Sequence, residues 1–193
     1  LVRLTGTISS CHRRRYGILR KFRIILGAVR QHSQALEAAC GHDGRRAVEM
    51  LINADKLMVI GRGRGLAIAQ EAALKFKETC AIQAEAFSGA EVKHGPMALV
   101  EADYPMLVFA LRGPAQQNLI DLATEMRERG AQVILAAPAD IPQRDVTLTT
   151  TAHVDLDPIA AIQSFYLMAE SLARARGLDP DYPRHLSKVT ATR

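Results

Sequence analysis

The sequence predicts an α/β fold: a three-layer α/β/α sandwich built on a parallel sheet of four or five strands. Three observations carry that reading. Short apolar runs at residues 57–60, 105–111 and 131–137 lack polar alternation, as strands buried on both faces require. Helix-period segments fill the intervals between them. Glycine and proline punctuate the joints at Gly61, Gly63, Gly65, Gly113-Pro114, Gly130 and Gly177.

Taken in order, residues 31–53 turn helical after an aperiodic start. Ala35, Leu36 and Ala39, then Ala47, Val48, Met50 and Leu51, fit one apolar face broken at Gly41 and Gly44. A helix is expected over 45–53, with Ala54-Asp55 turning into the first strand. Residues 56–96 form the central unit: strand, glycine turn, helix, second strand and a His-Gly-Pro turn. The run at 105–111 is the next strand. Residues 116–129 follow as an amphipathic helix with Leu119, Ile120, Leu122, Ala123 and Met126 toward the core. Gly130 stops it before the strand at 131–137. Residues 138–151 are rich in Pro, Thr and Asp and are expected to be loop; 152–156 is a short strand candidate. A long helix over 158–176 has Pro158 in its first turn, where proline is tolerated.

Composition narrows the class. A chain of 193 residues that is 48% hydrophobic can bury one sizeable core, and with 5% aromatics and no Trp that core is aliphatic. No apolar run is long enough to span a bilayer. Cys11, Cys40 and Cys80 form no CxxC pair, so neither a disulfide framework nor a zinc site is indicated, and a cytoplasmic protein is expected. Residues 1–40 hold eight Lys or Arg against Glu37 alone, a net +7 within a chain of +5, so residues 41–193 carry −2. The basic balance therefore belongs to the leader, and nucleic-acid binding by the main domain is not expected. The leader, with Cys11-His12-Arg13-Arg14-Arg15, has the composition of a nucleic-acid or membrane patch or of a transit peptide. Its plainer reading is a solvated terminus whose removal, over 1–30, leaves the fold standing.

Chemistry concentrates in the central unit. Three glycines after a strand let backbone approach an anion at the next helix's N-terminus, or simply make a tight turn. Leu66 stands where the dinucleotide fingerprint needs its third glycine. Glu71, Lys75 and Glu78 share one helix face. Such a row is a solvated ion-paired face or, at the sheet edge, a carboxylate held by a lysine for proton transfer. His94 in the turn, Lys188 in the tail, and Glu85 and Glu91 complete the candidates; each has a plain reading as an exposed or capping residue.

The run QEAALKFKETCAIQAEAFSGAEVKHGP at 70–96, with GLDPDYPRHLSKVT at 177–190, resembles the second sugar-isomerase (SIS) domain of the glucosamine-6-phosphate synthase and deaminase family. The resemblance covers about 45–193 and rests on four ordered motifs: E-x-x-L-K-x-K-E, A-E-x-F, K-H-G-P and P-R-x-L-x-K. The wording at 70–79 is more similar to the deaminase branch than to the glutaminase-bearing one. It implies a doubly wound, flavodoxin-like sheet, with a SIS domain over 41–178, a basic segment outside the fold over 1–40, and a tail over 179–193 that reaches the active site.

The resemblance also implies roles. Glu78 moves a proton between C1 and C2 of an open-chain amino-sugar phosphate. His94 assists ring opening from across a homodimer interface, and Lys188 reaches the sugar near O1. Glu71 and Lys75 support Glu78. No metal and no organic cofactor are implied. The family's phosphate-binding Ser/Thr loop has no counterpart at 110–115, which reads ALRGPA. The expectation is thus an isomerase or deaminase half with little turnover alone. The alternatives are the isomerase half of a glutamine–fructose-6-phosphate aminotransferase and a non-catalytic sugar-phosphate-binding dimerisation domain.

Overall fold

The computed structural model describes residues 32–186. Helices α1 (His32–Cys40) and α2 (Arg45–Leu51) lead into strand β1 (Lys56–Gly61), helix α3 (Arg64–Cys80) and strand β2 (Gln83–Ser88). Two 3-10 turns, Val92–His94 and Pro96–Leu99, precede β3 (Pro105–Phe109). Helix α4 (Gln116–Glu128), strands β4 (Gln132–Pro138) and β5 (Val146–Leu148), a 3-10 turn at Val154–Leu156 and helix α5 (Asp157–Ala175) complete the chain.

All strand pairs are parallel, in the order β2-β1-β3-β4-β5. The predicted sandwich is therefore present, with five strands. The apolar runs explain it: all of β3, and all but the first residue of β1, are buried, so helices must cover both faces. Order reverses between β1 and β3, the position where a doubly wound sheet opens a crevice beyond its carboxyl ends.

Two cores result, one per face. On one face α2, α3 and α5 pack on the sheet through Leu51, Phe76, Phe165 and Leu172. Phe165 sits edge-on to Phe76 at 5.1 Å and to Phe109 at 6.2 Å, joining α3, α5 and β3. On the other face α4 and the crossover through Val92 and Tyr104 pack on Met58, Met106 and Leu135.

Three expectations need correction. Residues 32–40 belong to the fold: α1 packs on α5, Ala39 is buried, and Ser164 Oγ donates to the Ala39 carbonyl at 3.0 Å. The basic charge ends at Arg30, short of a boundary at 40. β5 lies within the expected loop at 138–151, because three residues beside the end of β4 are too few to stand out among threonines. The strand candidate at 152–156 is instead a 3-10 turn leading into α5. Expectations for residues 1–31 and 187–193, the basic cluster and Lys188 among them, lie outside the described residues.

Candidate active site

The glycine turn serves the fold. A Cβ on Gly61 would stand 2.1 Å from the Gly65 carbonyl oxygen, because the chain doubles back against itself there. Gly63 has φ +58°, a region that favours glycine. Gly65 lies close under β3, where an added Cβ would meet the Phe109 carbonyl at 3.3 Å.

Across the sheet crevice, the end of β3 carries a closed ion pair. Arg112 Nε and Nη2 donate to the two carboxylate oxygens of Asp157 at 2.7 and 2.6 Å, and Nη2 donates to the Thr151 carbonyl at 2.7 Å. The Thr151 amide and hydroxyl both donate to Asp157 Oδ1 at 2.9 Å. Burial pushes the Asp157 carboxyl up. The Arg112 guanidinium and the two Thr151 donors outweigh it and hold Asp157 below the usual carboxylate range. The segment at 110–115 thus holds a cation, Arg112, committed to its own chain and tying the end of β3 to the start of α5.

The charged row on α3 is arranged differently. Lys75 Nζ lies 2.6 Å from Glu78 Oε2 and 3.8 Å from Glu71 Oε1. Their side chains are 28–34% exposed, so the group is desolvated in part and still reachable. Lys75 is held above its ordinary value, first by the hydrogen bond to Glu78, against burial, and then by the charges of both carboxylates. A carboxylate fixed by an ammonium and open to a ligand suits proton transfer at a carbon next to a carbonyl.

The placement of this row differs from the expected sheet edge. α3 leaves β1 at the carboxyl edge and returns to β2 at the amino edge, so the row descends the outer flank of α3 and Glu78 sits in its last turn. Tyr166 of α5 joins the row: its hydroxyl donates to Glu71 Oε1 at 2.9 Å. Sequence reasoning missed Tyr166, since a half-exposed aromatic on a long helix carries no motif.

His94 does not meet Glu78 within one chain. It is exposed at the end of the Val92–His94 turn, whose Val92 packs in the core on the opposite face of the sheet from α3. Glu91 is a cap: its Oε2 accepts from the Ser88 amide at 2.9 Å. Glu85 is exposed on the edge strand β2 and stands apart from the row. Of the predicted site residues, Glu71, Lys75 and Glu78 are therefore brought together and His94 is not.

The SIS domain family matches residues 50–171. The chain belongs to the SIS domain family. A glutamine–fructose-6-phosphate aminotransferase [isomerizing] from Aeropyrum pernix is 40% identical over 173 residues, which are 86% of this chain and 28% of that protein. Relatives of the same name are 39% and 31% identical in Thermosynechococcus vestitus and Escherichia coli. The chain spans under a third of the length of these curated relatives. Among solved structures, a chain assigned as a phosphosugar isomerase from Silicibacter pomeroyi DSS-3 is 36% identical, with a TM-score of 0.74 over 82% of this chain and 48% of that one. A glucosamine-6-phosphate deaminase from Thermotoga maritima is 22% identical at a TM-score of 0.60, covering 84% of this chain and 46% of that one, and shares the fold. No helix among the described residues is long and apolar enough to cross a membrane.

Proposed function

We propose that this chain is the isomerase half of an enzyme that interconverts ketose and aldose forms of an amino-sugar phosphate. The observation that carries the reading is the Lys75–Glu78 contact at 2.6 Å on a partly open helix face. Glu78 takes a proton from C1 of the open-chain sugar and returns it to C2, and the adjacent ammonium fixes its position on the helix face. Glu71 holds Lys75 from the other side. The family resemblance gives His94 the role of assisting ring opening from a second copy; in its own chain it follows Val92, which packs on the face of the sheet opposite α3. Lys188 approaches O1 from the tail. Phosphate binding falls to a companion SIS domain, since Arg112 is already committed to Asp157.

Relatives that are 31–40% identical carry the aminotransferase name, whereas the deaminase match supports the fold alone. The leading assignment therefore moves from the deaminase to the aminotransferase branch.

The test is conversion of glucosamine 6-phosphate and water to fructose 6-phosphate and ammonia in D2O, and the reverse with ammonia supplied, with and without a preceding SIS domain that carries a Ser/Thr loop. Deuterium entering at C1 or C2 reports proton transfer, and ammonia release reports deamination. Glu78→Gln is expected to lower exchange by about 10²–10⁴-fold. Exchange that survives this change removes Glu78 from the reaction and leaves the non-catalytic binding domain as the reading.

A further inference from the structure

A lysine flanked by carboxylates at i−4 and i+3 can reach either one. Local preference is for Glu71, because a Glu four residues N-terminal to a Lys is the favourable orientation on a helix. The structure has the opposite choice: the ammonium is 2.6 Å from Glu78 and 3.8 Å from Glu71. The atom it forgoes, Glu71 Oε1, is the atom that accepts the Tyr166 hydroxyl at 2.9 Å.

We propose that Tyr166 is a positioning residue that occupies Glu71 and so directs Lys75 onto Glu78. The physical basis is competition for one oxygen. A hydroxyl donor at Oε1 satisfies Glu71 and weakens its hold on the ammonium, which then settles on the other carboxylate. Tyr166 is placed to do this by the core and by no local signal. Its neighbour Phe165 is 3% exposed and wedged between Phe76 and Phe109, which sets the rotation of α5. The Tyr166 ring leans on Phe165 at 6.0 Å, leaving its hydroxyl over α3. Burial and the Glu71 carboxylate both push the phenol above its ordinary value, so it remains a donor across neutral pH.

The functional meaning of this arrangement rests on reading Glu78 as the proton carrier; its geometry does not. The experiment is therefore made on the ammonium of Lys75 in the 193-residue chain, by 15N NMR relaxation of the Nζ group. In the unaltered chain the ammonium is held by Glu78. Tyr166→Phe keeps the ring and removes the donor, so Lys75 samples both carboxylates and its order parameter drops by about a third, the gap between held and flexible groups. Adding Glu71→Gln removes the competing charge, and the order parameter returns to that of Glu71→Gln alone. An unchanged ammonium in Tyr166→Phe overturns the proposal. A loss that persists in the Glu71→Gln background also overturns it, because the effect would not run through Glu71. Sugar-phosphate exchange that survives Glu78→Gln would sink the catalytic reading and leave this result standing.

Discussion

Two constellations of like chemistry lie on this domain, and they differ in how far their charges are closed off by their own partners. At the carboxyl edge, Arg112 and Asp157 form a bidentate pair whose carboxylate also takes the amide and hydroxyl of Thr151. Asp157 is 2% exposed. Every strong partner comes from this chain, and a planar guanidinium locks the geometry. On α3, Lys75 lies between Glu71 and Glu78 with all three side chains about one third exposed. A compact ammonium on a flexible stem chooses between two partners, and the face stays open. The first pair spends its charges on holding β3 to α5. The second keeps its charges available.

The largest effect that would break this contrast is on stability. Arg112→Met leaves Asp157 buried without its cation and is expected to cost about 3–5 kcal/mol in urea denaturation. A loss under about 1 kcal/mol would mean that the pair is as open as the α3 row.

Acid titration sharpens the same comparison. Asp157 titrates below its ordinary value of 3.8, so the unfolded chain takes up its proton first as pH falls. The stabilisation is complete above that value and drains away as pH drops through 3.8 toward the folded value. In Arg112→Met the part of the acid limb due to this pair flattens, which denaturant midpoints measured across that range would reveal.

The α3 row should respond in the reverse sense. Lys75→Met is expected to change stability by less than about 1 kcal/mol, as half-exposed pairs do, while abolishing sugar-phosphate exchange. A stability loss as large as that of Arg112→Met would reassign the row to structure. The smallest effect is spectroscopic. Glu78→Gln removes the principal cause holding Lys75 above 10.5, so its NMR titration midpoint should fall toward 10.5. A midpoint that does not move would mean that Glu71 had been the true partner.

Much of this was legible in the residues. The buried runs at β1, β3 and β4 announced a parallel sheet because no alternation is possible when both faces are covered. Gly61, Gly130 and Gly177 marked real joints. The faces of α3 and α4 followed from their period. β5 was not legible, since three residues pair at the end of β4 only once β4 is in place. The helical period of α1 was legible but its membership in the fold was not, since that rests on packing against α5 and on Ser164, 125 residues away in sequence. The Arg112–Asp157 pair spans 45 residues and leaves no motif.

By itself the sequence determined what is local or periodic: that the long apolar runs are strands, which helix faces are apolar, and that Glu71, Lys75 and Glu78 share a face. A 3.6-residue turn makes those three neighbours in any context. The tertiary structure decided the rest. It set α5 against α3 through Phe165, brought Tyr166 to Glu71 across 95 residues, and put Val92, two residues before His94, in the core on the face opposite α3. Spacing along a helix states which partners a lysine can reach. Only packing between helices determines which of them it holds.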